Sequence, residues 1–187
     1  MAKKLSEMTL EELWALFPII LKEHQFCWKD WYREEETLLS GKLPKETVRI
    51  SHIGSTAVET IWAKPIVDIL VEMPQGYDLH SLNDALFGCG YRCMSRTETR
   101  LSFNKGYTEK GFAERVYHLH LRYVGDNDEL YFRDWLQTHP EDAKEYEKIK
   151  LSLWKRYEHD RDGYTAQKSD IVSKITAQAL AKYKGRY

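Results

Sequence analysis

Hydrophobic positions follow two regimes along this chain. Up to residue 123, short apolar or alternating stretches sit between turn-forming residues, whereas beyond residue 130 apolar positions recur only at helical intervals. Thr9-Leu10-Glu11-Glu12 has the form of a capping box and predicts a short helix through Ala15 or Leu16, which Pro18 ends. Ile19-Ile20-Leu21 is short and β-branched and reads as a buried strand. Residues 28–39 carry apolar and aromatic side chains at helical spacing, closed by Gly41 and Pro44. Residues 48–53 alternate as a strand does. Residues 66–71 are almost continuously apolar, broken by Asp68, the pattern of a central strand covered on both faces. A helix over 79–87, punctuated by Gly88 and Gly90, precedes three further strands at 91–94, 101–105 and 116–123.

The remaining sequence predicts helices over 130–138, 140 to about 157 and 165 to about 184, with Pro140 at a first helical position and Asp162-Gly163 marking a turn. The fold expected is α/β (α+β): one domain with a sheet-containing core over about 17–128 and a helical C-terminal part over 129–187. A hydrophobic share of 42% can fill such a core, and 30% charged residues argue for a solvated surface.

The net charge of −1 gives no whole-protein attraction to nucleic acid. The tail carries Lys168, Lys174, Lys182, Lys184 and Arg186 against Asp170, a pattern that cations at a helix C-terminus explain as solvated surface. The start, Met-Ala-Lys-Lys-Leu-Ser-Glu-Met, lacks the apolar stretch of a signal peptide, and no run reaches the ~18 residues of a membrane span. Cys27, Cys89 and Cys93 are an odd set without framework or zinc spacing, even with His80 added; they read as buried thiols of a cytoplasmic protein.

Two features carry chemistry. Ile53-Gly54-Ser55-Thr56-Ala57 places a glycine and two hydroxyl residues after a strand, where backbone N–H groups and the Ser55 and Thr56 hydroxyls can meet an anion; the same residues also make an ordinary turn and helix cap. Asp68 sits inside Pro65-Ile66-Val67-Asp68-Ile69-Leu70-Val71, where an ionised group costs desolvation unless it is paired, hydrogen-bonded or metal-bound. Lys64 and Arg122 are cations available to it, or to a phosphate.

Residues 48–58 (Val-Arg-Ile-Ser-His-Ile-Gly-Ser-Thr-Ala-Val), followed by Ala63-Lys64-Pro65-Ile66-Val67-Asp68-Ile69, resemble the signature of the GrpB family. His118-Leu119-His120, Phe132-Arg133-Asp134-Trp135-Leu136 with His139-Pro140, and Tyr164 with Lys168 follow in that family's order, so the resemblance spans about 17–175. It implies a mixed sheet of nucleotidyltransferase type with flanking helices. By position it implies phosphate binding at Gly54 and Ser55 and a divalent metal, Mg or Mn, at Asp68.

The sequence departs from the superfamily's Asp-x-Asp pair, because Leu70 and Ile66 occupy the positions two away from Asp68. Glu72 does not replace the missing member, since four residues along a strand is ~13 Å against ~6.6 Å for two. His118 and His120 share a strand face with Arg122 and are the compensating candidates: with Asp68 they make a mixed carboxylate–imidazole metal site or an acid–base set, or they are neutral histidines satisfied locally. On the helical third, Arg133, Lys150, Tyr164 and Lys168 are either ordinary solvated surface or groups by which a cation reaches back over a polyphosphate, and the resemblance favours Arg133, Tyr164 and Lys168. Two functions follow as expectations. One is transfer of a nucleotidyl or phosphoryl group from a nucleoside triphosphate. The other is a catalytically inactive module binding a nucleotide or phosphometabolite.

Overall fold

The structure is a computed structural model that describes residues 3–187; Met1 and Ala2 of the polar leader lie outside the described residues. In chain order it contains α1 (Leu10–Leu16), α2 (Cys27–Ser40), β1 (Arg49–Ile53), β2 (Val67–Met73), α3 (Asn83–Gly88), β3 (Arg92–Arg96), β4 (Arg100–Thr108), β5 (Gly111–Tyr123), α4 (Asp128–Thr138), α5 (Pro140–Trp154) and α6 (Arg161–Lys182). The capping box forms as the sequence predicts. Thr9 Oγ1 accepts from the Glu12 amide, and Glu12 Oε2 accepts from the Thr9 amide at 2.7 Å.

The five strands make one mixed sheet in the order β1-β2-β5-β4-β3. β2 and β5 run parallel, with Asp68 opposite His118 and Leu70 opposite His120, and the other pairs are antiparallel. Because successive side chains alternate between faces, β2 and β5 each split into two sets. Val67, Ile69, Val71, Met73, Tyr117, Leu119 and Leu121 join Trp28 and Leu39 of α2 in the main core. Asp68, Leu70, Glu72, His118, His120 and Arg122 take the alternate positions.

Over that second face stands the helical third, with its own core of residues that include Phe132, Trp135, Tyr146, Ile171 and Ile175. Leu70 closes against Ile53 of β1 and Leu130 of α4. The cleft lies beside that contact, between the sheet's polar face and α5 and α6.

Two local readings are corrected. Residues 19–21 are not a strand: Ile19 and Leu21 are buried, but the Ile19 amide donates to the Glu158 carbonyl at 2.8 Å and its carbonyl accepts from the Trp154 indole at 2.6 Å. The α5–α6 connection therefore satisfies backbone that a sheet would otherwise have to pair. Asp162-Gly163 is not a turn between helices but the first turn of α6. Asp160 caps that helix, its Oδ1 accepting from the Gly163 amide at 2.8 Å.

The cysteines also divide. Cys89 is buried, Cys93 half-buried and Cys27 exposed at the start of α2. Among the described residues no helix is long and apolar enough to cross a membrane.

Candidate functional site

Gly54 ends β1 in a conformation that glycine alone adopts readily, φ +70°, and the next three residues form one turn of 3-10 helix. This bend carries Ser55 over the first polar residue of β2. Gly54, Ser55, Lys64, Asp68, His118, His120, Lys150 and Lys168 all line one cleft of about 540 Å³, a size suited to a small-molecule ligand.

At its floor, Asp68 Oδ1 lies 3.2 Å from His118 Nδ1 and 3.9 Å from His120 Nε2. Burial works to raise the pKa of this carboxyl. The two imidazoles beside it, His118 foremost, outweigh burial and hold the group well below the usual carboxylate range. The other ring nitrogen of His118 meets the Tyr107 hydroxyl at 2.8 Å, and Arg161 donates to that hydroxyl at 2.8 Å.

Three lysines form the wall. Lys150 is 2% exposed and donates to Ser55 Oγ at 3.1 Å and to the Trp62 carbonyl. The ammonium groups of Lys64 and Lys168 lie 4.6 and 4.3 Å from the centroid of the buried Tyr164 ring. None of the three has a carboxylate partner among the described residues. Burial first, and neighbouring positive charge second, push Lys64 and Lys150 down to about 7; burial brings Lys168 to about 8. The cleft gathers four cations, Lys64, Lys150, Lys168 and Arg161, against two carboxylates, Asp68 and Asp162, and is left short of negative charge, which a phosphate chain supplies.

Several expected residues are committed elsewhere. Arg122, 6% exposed, faces Asp126 and Glu129 at 3.8 and 3.6 Å, away from the cleft. Arg133 donates to the His52 carbonyl, to Asp134 and to the Tyr187 hydroxyl, so its five N–H groups are largely spent behind the turn. Neither lines the cleft. Thr56 lines the cleft, but its hydroxyl donates to the Ile66 carbonyl at 3.3 Å and accepts from His52 Nε2 at 2.9 Å. Its role is to hold the turn.

The donor set does not fit a two-metal centre. Leu70, where a second carboxylate would stand, is wholly buried under α4, and Glu72 is engaged by Asn127 at 2.8 Å and Arg49 at 3.2 Å. Among the described residues no group of three or more His, Cys, Asp or Glu is disposed to hold a metal ion.

Sequence reasoning left Lys150 among the solvated charges and overlooked Tyr107, Tyr146 and Arg161. Lys150 lies four residues after Tyr146 on the buried stripe of α5 with Ala143 and Glu147, a spacing that was visible. Tyr107 owes its position to a register shift between Lys105 and Tyr107. Strict alternation would put it on the side of Lys105, which reaches Glu35 of α2. The bulge at Gly106, φ +90°, turns it toward His118, and a glycine inside a strand pattern is the usual sign of such a bulge. Nothing local marks Arg161.

The GrpB protein family model matches residues 18–178. A UPF0157 protein of Pseudomonas aeruginosa is 38% identical over 83% of this chain and 65% of its own length, so the chain spans slightly less than two thirds of that relative. The glutamate-rich protein GrpB of Alkalihalophilus pseudofirmus is 34% identical over 84% of this chain and 93% of its own. Among solved structures, conserved protein GrpB from Enterococcus faecalis superposes with a TM-score of 0.76 at 29% identity, covering 88% of this chain and 99% of that one. The Cid1 poly(U) polymerase shares the fold at a TM-score of 0.50 and 11% identity, over 76% of this chain and 44% of its own. The mixed sheet with flanking helices is thus similar to the nucleotidyltransferase fold. With the family model covering most of its length, this chain belongs to the GrpB family.

Proposed function

We propose that this chain binds a nucleoside triphosphate, or a related phosphate-bearing small molecule, in the cleft and transfers its nucleotidyl or phosphoryl group to an acceptor. One observation carries the reading: the Ser55 turn, the Asp68–His118 pair and three lysines without carboxylate partners open on the same cavity. In the transfer, an acceptor hydroxyl oxygen forms a bond to phosphorus while the phosphorus–oxygen bond to the leaving phosphate or pyrophosphate breaks. The hydroxyl proton passes to Asp68 only as the oxygen–phosphorus bond forms and the hydroxyl turns acidic, because a carboxylate this weakly basic does not ionise a free hydroxyl, and the departing group takes the bond's electron pair. Lys64, Lys150 and Lys168 meet the charge that develops on it.

A second reading, a binding module without turnover, is favoured by Leu70. An apolar side chain packed under Leu130 stands where working members of the fold place a metal-binding carboxylate.

Titration with a panel of nucleoside triphosphates and with inorganic tripolyphosphate, with and without Mg or Mn, followed by a search for released phosphate and pyrophosphate, separates the two. Release that Asp68→Asn abolishes supports transfer. Binding without release across acceptors supports the module, and the absence of any phosphate binding overturns both. Lys150→Ala is expected to weaken tripolyphosphate by roughly 1.5–3 kcal/mol, about ten- to a hundredfold.

A further inference from the structure

We infer that Tyr107 and Arg161 are positioning residues that hold His118 in its Nδ1–H tautomer, so that the imidazole donates to Asp68 and the carboxylate is left as the proton acceptor of the pair. The tautomer follows from the hydrogen bonds themselves. As the base assignment, it rests on the transfer reading above.

A guanidinium has donors only. Arg161 Nη2, 2.8 Å from the Tyr107 oxygen, must therefore donate to it, and that oxygen accepts. The hydroxyl then has one hydrogen to place. Its other partner among the described residues is His118 Nε2, at 2.8 Å. If Tyr107 donates there, Nε2 is the acceptor and the ring proton sits on Nδ1, which faces Asp68 Oδ1 at 3.2 Å. Every group along Arg161, Tyr107, His118 and Asp68 is then satisfied in one direction.

The alternatives fail on counting. With the proton on Nε2, the tyrosine oxygen accepts twice and its own hydrogen has no partner, while the Nδ1 lone pair faces a carboxylate oxygen at 3.2 Å. With both nitrogens protonated, Nδ1 still meets Asp68, but the tyrosine hydrogen is again without a partner among the described residues, and the imidazolium stands one hydroxyl away from a guanidinium. Burial pushes the Tyr107 phenol upward, which keeps the hydroxyl protonated. The direction of the chain thus has one consistent assignment.

The consequence is a division of labour. Neither nitrogen of His118 is free to take a proton from an incoming hydroxyl, because Nε2 is occupied by Tyr107 and Nδ1 carries its own hydrogen. Asp68 Oδ1 faces both histidines and Oδ2 packs against Gly54 beneath the turn, so of the pair the carboxylate is the member that carries no proton. Arg161 begins α6, so the helical third sets the state of a histidine on the sheet.

The test is long-range proton–nitrogen NMR on the full, ligand-free chain labelled with ¹⁵N-histidine at about pH 8, above the ordinary histidine range, with His118 assigned by its loss in His118→Gln. The expected result is Nδ1 in the protonated range and Nε2 in the unprotonated range. Tyr107→Phe, which cannot donate, shifts that single dominant tautomer to a mixture or to Nε2–H. Arg161→Lys, which keeps a donor to Tyr107, retains the wild-type pattern, and Arg161→Met loses it. Should Tyr107→Phe not fold, Arg161→Met and Arg161→Lys carry the comparison. A wild-type His118 protonated on Nε2 or on both nitrogens overturns the inference, as does a pattern unmoved in both Tyr107→Phe and Arg161→Met. No ligand is present in the measurement, so its failure leaves phosphate binding untouched, and a failure to bind phosphate leaves the tautomer untouched.

Discussion

A β-carbon on Gly54 would lie 2.3 Å from Asp68 Oδ2. The turn and the carboxylate therefore occupy positions that only a glycine permits, and φ +70° at Gly54 sets the same requirement from the backbone. Gly54→Ala is expected to destabilise the chain by about 1–3 kcal/mol through the strained backbone and the clash together. Urea unfolding measures it. In the double variant Gly54→Ala, Asp68→Ala, part of the clash is gone, so the combined loss should fall short of the sum by about 0.5 kcal/mol or more. Strict additivity would mean that the two residues do not press on each other.

The lysine wall makes stability depend on pH with a definite sign. Lys64 and Lys150 are lowered to about 7 and Lys168 to about 8, whereas lysines of the unfolded chain keep their protons to about 10.4. Between those limits the unfolded state binds more protons, so this contribution to the stability of the free chain rises with pH from about 7 to about 10. Inorganic tripolyphosphate, by holding the ammonium groups charged, should flatten that slope, and Lys150→Met should flatten it without ligand. Unfolding midpoints that fall steadily across the window in the wild type would contradict the arrangement.

Lys105 and Glu35 tie β4 to α2 through a pair with a buried carboxylate and a half-buried ammonium, Lys105 Nζ lying 2.7 and 2.8 Å from the two Glu35 oxygens. Removing the cation leaves a carboxylate with no compensation beneath Tyr91 and Tyr117. Lys105→Met should cost about 3–5 kcal/mol, while Lys105→Met with Glu35→Leu should recover most of that loss. Chemical denaturation of the three proteins decides the matter. A double variant as unstable as the single one would place the cost in packing rather than in charge.

The three thiols differ in access, and a thiol reagent should count them in steps. Cys27 is exposed, Cys93 half-buried and Cys89 buried with its thiol pushed upward by burial. The native chain should therefore show one fast and one slower equivalent, with the third appearing only in denaturant. Rapid labelling of Cys89 in the folded state would show that the main core opens more easily than its packing implies.

Much of the architecture was legible because its signals are local. Asp68 within an apolar run, the alternation of His118, Leu119 and His120, and the Gly54-Ser55 turn each follow from a period of two or from one residue's backbone freedom. The structure sets Asp68 opposite His118 in parallel register and puts both beneath that turn. Where the sequence reading and the structure part, the partner that each group meets decides. Ile19 finds its hydrogen bonds on Glu158 and Trp154, not on a neighbouring strand. Arg122 and Arg133 are cations at suitable sequence positions whose charges Asp126, Glu129 and Asp134 had already taken.

By itself, the sequence determined which residues can lie on one face: side-chain alternation and turn chemistry are properties of a few consecutive residues, and they survive in any fold that keeps the strands. Only the tertiary structure decided which charges meet. Lys150 and Lys168 come from separate helices to face Lys64 and Asp68, Arg161 of α6 reaches Tyr107 beside His118, and Leu70 packs under Leu130. Each of these is fixed by packing between segments far apart in the chain, where the cost of burying a charge or leaving a donor unpaired is set by neighbours that no local pattern names.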